Sequence, residues 1–143
     1  MSLSAQYDPK NIFARILSGD IPSAKVYEDE RILSFMDAFP QTRGHTLVIP
    51  KVAACNLFDI PAADLQNLIV QTQTIGRAVR DALTPDGIRI MQFNGEAAGQ
   101  TVFHIHFHIL PVWDDQAERP HAAGKMTDIN ELNALAAQIK AKL

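Results

Sequence analysis

The segment from Val102 to Leu110 alternates histidine with apolar residues, and it restricts the fold more than any other part of the chain. Successive side chains of a β-strand point to opposite faces. The alternation therefore predicts a strand with one apolar face and one face of three imidazoles about 6.6 Å apart from one to the next. The apolar face comprises Ile105, Phe107 and Ile109, and the other face comprises His104, His106 and His108.

The remaining sequence predicts two long helices and four more strands. A helix from Ile60-Pro61 to about Leu83 carries an apolar stripe. The stripe comprises Leu65, Leu68, Ile69, Thr72, Ile75, Gly76 and Val79. Asp128 is a typical N-cap for a final helix that runs to Leu143. Strands are predicted at residues 25–27, 32–36, 46–49 and 88–93.

Short connections between most of these strands favour an antiparallel sheet. We therefore expect an α+β fold, a five-stranded antiparallel sheet with the helices packed on one face. A single domain spans residues 1–143, with its core at 11–111 and a C-terminal tail and helix at 112–143. Asp8 is predicted to cap a first helix with Pro9 at its first position. The short polar piece from Met1 to Gln6 is predicted to be disordered.

The three histidines of the alternating segment point to chemistry rather than to packing, because a neutral-range pKa serves mainly catalysis or metal binding. One interpretation is a metal site. The first and third histidines would lie about 13 Å apart on a straight strand, so one ion could hold two of them at most and would need His45, His121 or a carboxylate. The other interpretation makes one imidazole a nucleophile that its neighbours orient and protonate.

The segment from His104 to Leu110 resembles the signature of the histidine-triad family at every position. Upstream, GHTLVIPK at 44–51 resembles the second marker of that family. NIFARILSGDIP at 11–22 and the stretch 27–37 resemble its branch of nucleoside phosphoramidases. NGEAAGQT at 94–101 resembles its phosphate-binding loop, although EAAGQT and Leu110-Pro111 are closer to the dinucleoside polyphosphate hydrolases. The resemblance covers residues 11–111.

The resemblance implies an enzyme that cleaves a bond at the α-phosphate of a purine nucleotide. A phosphoramidate or an aminoacyl adenylate is the expected substrate class, and a dinucleoside polyphosphate is the alternative. His106 would be the nucleophile and form a nucleotidyl-histidine. His108 would contact the phosphate and assist the leaving group. His104 would orient His106 through its backbone carbonyl, and His45 would support the triad from behind.

The same resemblance implies substrate contacts and a homodimer whose sheets join edge to edge. Gln100 and Thr101 would donate to the phosphate or the leaving group, and Asn94 would bind the phosphate region. Asp37 would accept from the ribose hydroxyls. Phe13, together with Ile21 and Phe35, would form a wall of the base pocket.

We predict no zinc and no other cofactor. Some members of the family hold zinc with a CxxC pair and two histidines, but Asn11, Ala14 and Ala53 stand where three of those ligands would be. Thirteen Lys and Arg against sixteen Asp and Glu give a net charge of −3, which argues against a nucleic-acid polymer as partner. A single cysteine and the lack of a long apolar run predict a cytoplasmic protein without a membrane partner.

Overall fold

A computed structural model describes residues 3–116 and 126–143 of the chain. Met1, Ser2 and His121 therefore lie outside the described residues. The elements in chain order are α1 (Ile12–Leu17), β1 (Lys25–Glu28), β2 (Ile32–Met36), β3 (Thr46–Pro50), α2 (Ala62–Leu83), β4 (Gly87–Met91), a short 3₁₀ turn (Glu96–Ala98), β5 (Phe107–Val112) and α3 (Ile129–Lys140). No helix among the described residues combines the length and apolarity needed to cross a membrane.

The five strands form one antiparallel sheet in the order β1-β2-β3-β5-β4, which confirms the predicted fold class. Strands β1 and β4 are the two edges of the sheet. His108 lies in an inner strand, where it pairs with Leu47 of β3 on one side and Met91 of β4 on the other. Residues paired across antiparallel strands point to the same face, so Leu47 and His108 share a face.

Helices α2 and α3 cover one face of the sheet, as expected. Side chains from both helices pack there against apolar residues of β1, β2, β3 and β5. The short helix α1 packs instead on the opposite face, where Phe13 and Ile16 contact Leu33, Phe35 and Leu47. Because Leu47 and His108 share a face, the face that carries α1 is also the face that carries the triad.

The predicted stripe on α2 is correct for Leu68, Thr72, Ile75 and Val79, which are all buried. It is wrong for Ile69, which is 44% exposed. Ile69 borders an open groove between α2 and the edge strand β4, so it faces away from the core.

Helix α1 begins three residues later than predicted. Its N-cap is Asn11, whose side chain accepts from the Ala14 backbone N–H. Asp8 caps the preceding turn instead, because its carboxylate accepts from the Lys10 N–H and its carbonyl accepts from Asn11. Both residue types cap helices well, so composition alone does not separate the two starts.

The N-terminal segment, for which the sequence predicts disorder, is placed against the folded domain at residues 3–6. The carbonyl of Leu3 accepts from the Asn56 side-chain amide, and the carbonyl of Ala5 lies 3.5 Å from the thiol of Cys55. These contacts run along the loop of residues 53–57. They hold the chain so that Tyr7 lies at the face of the sheet that carries the histidines, where its hydroxyl contacts His104.

Candidate active site

The backbone places the three histidines differently from the predicted straight strand. Strand β5 begins at Phe107, so only His108 lies in the sheet. His104 and His106 precede it on a segment that leaves the ladder, because the Ile105 N–H donates to the loop carbonyl of Ala54 instead. The ring centroids of His106 and His108 are 4.8 Å apart rather than about 6.6 Å. The side-chain alternation nevertheless holds, since Ile105 is fully buried on the core side.

The ring of His106 has its proton on Nδ1. This nitrogen lies 2.7 Å from the backbone carbonyl oxygen of His104. A carbonyl can only accept, so Nδ1 must donate, and Nε2 of the neutral ring keeps its lone pair. Phe13 of α1 packs against this ring at 4.8 Å in an edge-to-face arrangement. The imidazole, 5% exposed as a residue, is therefore fixed in the tautomer that a nucleophile requires.

The ring of His104 is fully buried, and both of its nitrogens have partners. Its Nε2 lies 2.7 Å from the Pro50 carbonyl and must donate, so its Nδ1 accepts from the Tyr7 hydroxyl at 2.6 Å. Burial lowers the pKa of His104, and the bond to Pro50 opposes this shift only in part. The ring is thus neutral, and its backbone carbonyl is the group that contacts His106.

His45 sets the tautomer of His108 from behind. The Gln41 backbone N–H donates to Nδ1 of His45 at 3.1 Å, which puts the proton of the neutral ring on Nε2. That Nε2 lies 2.9 Å from Nδ1 of His108, so it donates there. The proton of neutral His108 is therefore on its own Nε2, where it can act as a hydrogen-bond donor. The two neutral rings therefore differ at Nε2: that of His106 carries a lone pair, and that of His108 carries a proton.

Asp37 completes this buried group, with one carboxylate oxygen 3.5 Å from Nε2 of His45. Burial raises the pKa of Asp37 to about 6, although the Phe39 N–H, which donates to its other oxygen, lowers it in part. The side chain is 16% exposed and lines a cavity of about 310 Å³ beside the β2–β3 loop.

Asp37, His45 and His108 bring three possible ligand atoms within 4.8 Å of one another. The donor set does not fit a metal ion in this arrangement. An ion would have to take Nε2 of His45, and the Gln41 N–H at Nδ1 keeps the proton of the ring on that nitrogen. Hydrogen bonding accounts for the cluster, and no chemical step needs to pass through a metal here.

The predicted phosphate loop is held by the side chains that the sequence assigns to substrate binding. Both amide hydrogens of Gln100 are used, one on the Cys55 carbonyl at 2.6 Å and one on the Val102 carbonyl at 3.0 Å. Its oxygen accepts from the Gly95 N–H. The Asn94 oxygen accepts from the Leu57 N–H in the same way. In this conformation both amides brace the loops around the histidines.

Of two other predicted site residues, Thr101 lies at the surface and Phe13 is buried. Thr101 is exposed at the end of the loop, next to the segment that carries the triad. Phe13 packs between His106 and Phe35, at centroid distances of 4.8 Å and 5.5 Å. It therefore contacts the proposed nucleophile directly.

Sequence reasoning missed three groups that set the protonation of the site, namely the Pro50 carbonyl, the Gln41 N–H and the Tyr7 hydroxyl. The first two are backbone groups, which carry no residue-specific signal. Tyr7 adjoins the segment for which the sequence predicts disorder, so no periodicity pointed to it.

Comparison with known proteins gives a consistent family. Residues 18–114 match the model of the HIT domain. The "Protein hit" of Bacillus subtilis is 48% identical over 100 residues, which are 70% of this chain and 69% of that protein. The adenosine 5′-monophosphoramidase of Saccharomyces cerevisiae is 33% identical over 144 residues, covering 100% of this chain and 89% of that protein. A crystal structure of a Hit-like protein involved in cell-cycle regulation from Bartonella henselae superimposes with a TM-score of 0.90 at 42% identity, covering 97% of this chain and 100% of that chain.

Proposed function

This chain belongs to the HIT domain family, and we propose that it hydrolyses purine nucleotides at the α-phosphorus through a covalent intermediate on His106. Phosphoramidates and aminoacyl adenylates are the proposed substrate class. The similarity to the yeast adenosine 5′-monophosphoramidase along the full chain supports this choice. The observation that carries the mechanism is the 2.7 Å bond from His106 Nδ1 to the His104 carbonyl, which leaves Nε2 as a nucleophile.

In the first proposed step, the lone pair of His106 Nε2 forms a bond to the α-phosphorus while the bond to the leaving group breaks. The leaving group departs with the bonding pair of electrons, assisted by a hydrogen bond from His108 Nε2–H, and it takes a proton from solvent. In the second step, water attacks the phosphorus and the P–N bond breaks. The electron pair returns to His106, and the proton of the water is released.

The proposed substrate position follows the same face of the sheet. The α-phosphate lies at His106 and His108, with the exposed Thr101 hydroxyl as a donor. The ribose lies toward Asp37, whose carboxylate accepts from its hydroxyls. Phe13, Phe35 and Ile21 contribute apolar surface toward the base. Asn94 and Gln100 act mainly as braces, because their side-chain amides are hydrogen-bonded within the protein.

We further propose a homodimer joined at the edge strand β4. This strand and helix α2 expose Ile90, Ile69 and Val70 at 48%, 44% and 56%. They flank a groove of about 540 Å³ whose lining is mostly apolar. An unpaired strand edge beside an apolar helix face is suited to antiparallel pairing with a second copy, which would satisfy the edge hydrogen bonds and cover the groove.

A competition assay in the presence of EDTA tests the proposed function. Adenosine 5′-phosphoramidate and a diadenosine polyphosphate are supplied together, and AMP is followed by chromatography for the wild type and His106→Gln. We expect AMP from the phosphoramidate, with turnover lost in the variant, and intact-protein mass after rapid quenching should show one adenylyl group on the wild type alone. Preference for the dinucleotide would overturn the substrate class. Activity that needs added metal, or that survives in His106→Gln, would overturn the mechanism.

A further inference from the structure

The hydroxyl of Tyr7 contacts the ring of His104, at 2.6 Å from Nδ1. The two rings meet edge to face, with centroids 5.6 Å apart. Tyr7 lies outside the residues 18–114 that match the family model. We propose that Tyr7 is a positioning residue, which holds the buried His104 ring in its neutral Nε2–H tautomer and thereby fixes the carbonyl that orients His106.

His104 needs this donor because the rest of its environment is already determined. The ring is fully buried, and its Nε2–H is committed to the Pro50 carbonyl. Nδ1 is then a buried acceptor, and a buried acceptor without a donor is costly. The Tyr7 hydroxyl supplies that donor. Since the His104 carbonyl receives the Nδ1–H of His106, the effect of Tyr7 reaches the nucleophile through one residue.

The segment that carries Tyr7 is tied to the loops that surround the site. The carbonyls of Leu3 and Ala5 contact Asn56 and Cys55, and the carbonyl of Cys55 accepts from Gln100. Tyr7 thus reaches His104 from a segment anchored by its own backbone. This anchoring favours a lasting contact over a transient one.

The charges around His104 favour the same assignment. Burial raises the pKa values of Tyr7 and of Cys55, so both groups are protonated and neutral near pH 7. Two carboxylates also act on these groups: that of Asp8 raises the pKa of Tyr7, and that of Asp59 raises the pKa of Cys55. The His106 ring is the neighbouring titratable group within the triad. The hydroxyl is therefore present as a donor near pH 7.

The test is Tyr7→Phe, with Tyr27→Phe as a matched control. The chain has two tyrosines, and the Tyr27 hydroxyl donates to Asp29 on the β1–β2 turn, away from the site. Long-range ¹H–¹⁵N NMR of the His104 ring is recorded from pH 5 to pH 8, since it distinguishes a protonated nitrogen from an unprotonated one. We expect Nδ1 to stay unprotonated in the wild type and in Tyr27→Phe. In Tyr7→Phe it should take up a proton within this range, because the neutral ring has lost its donor.

Kinetics supply the second readout, and this part rests on the proposed function. In Tyr7→Phe we expect kcat to fall about tenfold with KM changed less than about twofold. The acid limb of kcat/KM should move to higher pH, because His104 then takes up its proton at a higher pH and the protonated ring weakens the nucleophile. A folded Tyr7→Phe protein whose His104 ring titrates like the wild type would overturn the proposal. If the wild type turns over no nucleotide, the NMR result still decides the role of Tyr7, so the two failures are distinguishable.

Discussion

Replacing Asp37 by asparagine should make the protein more stable near neutral pH while weakening its function. The side chain of Asp37 is only 16% exposed, and its carboxylate faces the neutral Nε2–H side of His45. Burial raises its pKa from the ordinary 3.8 to about 6. The folded state therefore binds a proton on Asp37 more tightly than the unfolded state does.

The magnitude follows from that shift. At about 1.4 kcal/mol per pKa unit, ionising Asp37 in the folded protein costs about 3 kcal/mol at pH 7 and above. The stability that the protonated Asp37 gives the folded state is fully present below pH 3.8 and is lost as the pH rises through about 6. The amide of the variant has no charge to desolvate. It is, however, a weaker acceptor for the Phe39 N–H and places an NH₂ group beside the His45 Nε2–H, which offsets about 1 kcal/mol at every pH.

Urea unfolding of both proteins at several pH values from 4.5 to 8 measures the difference. The free energy of unfolding of Asp37→Asn, relative to the wild type, should rise by about 2 kcal/mol across this range. Other titrating groups cancel in the comparison. In the same variant the affinity for AMP should fall, because an amide cannot accept from both ribose hydroxyls as a carboxylate does.

Asp29→Asn is the control of opposite sign. Burial raises the pKa of Asp29, but the backbone N–H groups of Arg31 and Ile32 and the Tyr27 hydroxyl outweigh it and leave the pKa lowered. The variant should therefore lose stability relative to the wild type as the pH rises from below the lowered pKa of Asp29 to about 3.8, where the unfolded carboxyl titrates, and the difference should be nearly constant from pH 4.5 to 8. A stability difference for Asp37→Asn that is flat with pH, or that follows the sign of Asp29→Asn, would refute the reasoning. Such a result would mean that Asp37 pairs with a protonated His45.

Three further predictions concern the frame of the site. Gly44→Ala should cost about 2 to 4 kcal/mol in thermal unfolding, since its φ is +90° and a Cβ would lie 2.2 Å from a methyl of Leu83. Gly19→Ala, with φ +88° and no atom within 4 Å, should cost only about 1 kcal/mol, and equal losses would show that the clash is relieved. Gln100→Leu should cost about 2 to 4 kcal/mol in the same assay, because two buried backbone groups and one half-buried backbone group lose their partners. An unchanged melting temperature would mean that water replaces the amide. Ile90→Arg should shift the protein from dimer to monomer in sedimentation velocity. Phe58→Arg changes an exposed apolar residue away from β4 and should leave the dimer intact. A dimer in both variants would exclude the β4 edge as the dimer interface.

The sequence predicted the sheet and the faces of its strands, because alternation and short connections are local signals. It placed Ile105 and Phe107 in the core correctly. It did not predict that the strand begins only at Phe107, since the N–H of Ile105 is taken by Ala54, a contact between residues far apart in the chain. Side-chain alternation reports which way a residue points. It does not report whether its backbone pairs within the sheet.

In the candidate site, too, local sequence signals predicted some features, and contacts between residues far apart in the chain determined the others. The motif gave the positions of His104, His106 and His108, and the resemblance implied the His104 carbonyl and His45 as their supports. The Pro50 carbonyl, the Gln41 N–H and the Tyr7 hydroxyl, which fix the remaining ring protons, were not predicted. Gln100 is a further case. A polar residue in a glycine-bounded loop suggests a ligand contact, whereas the fold buries Gln100 at 2% exposure and uses both of its amide hydrogens and its oxygen in hydrogen bonds within the protein.

The bond between the His106 ring and the His104 carbonyl has a consequence for how such a protein can change over evolutionary time. Every amino acid carries the same carbonyl, so no single substitution at position 104 removes the acceptor itself. The reactive form of the nucleophile is thus inherited with the path of the main chain. Insertion or deletion of one residue between positions 104 and 107 should abolish it, even where all three histidines are retained.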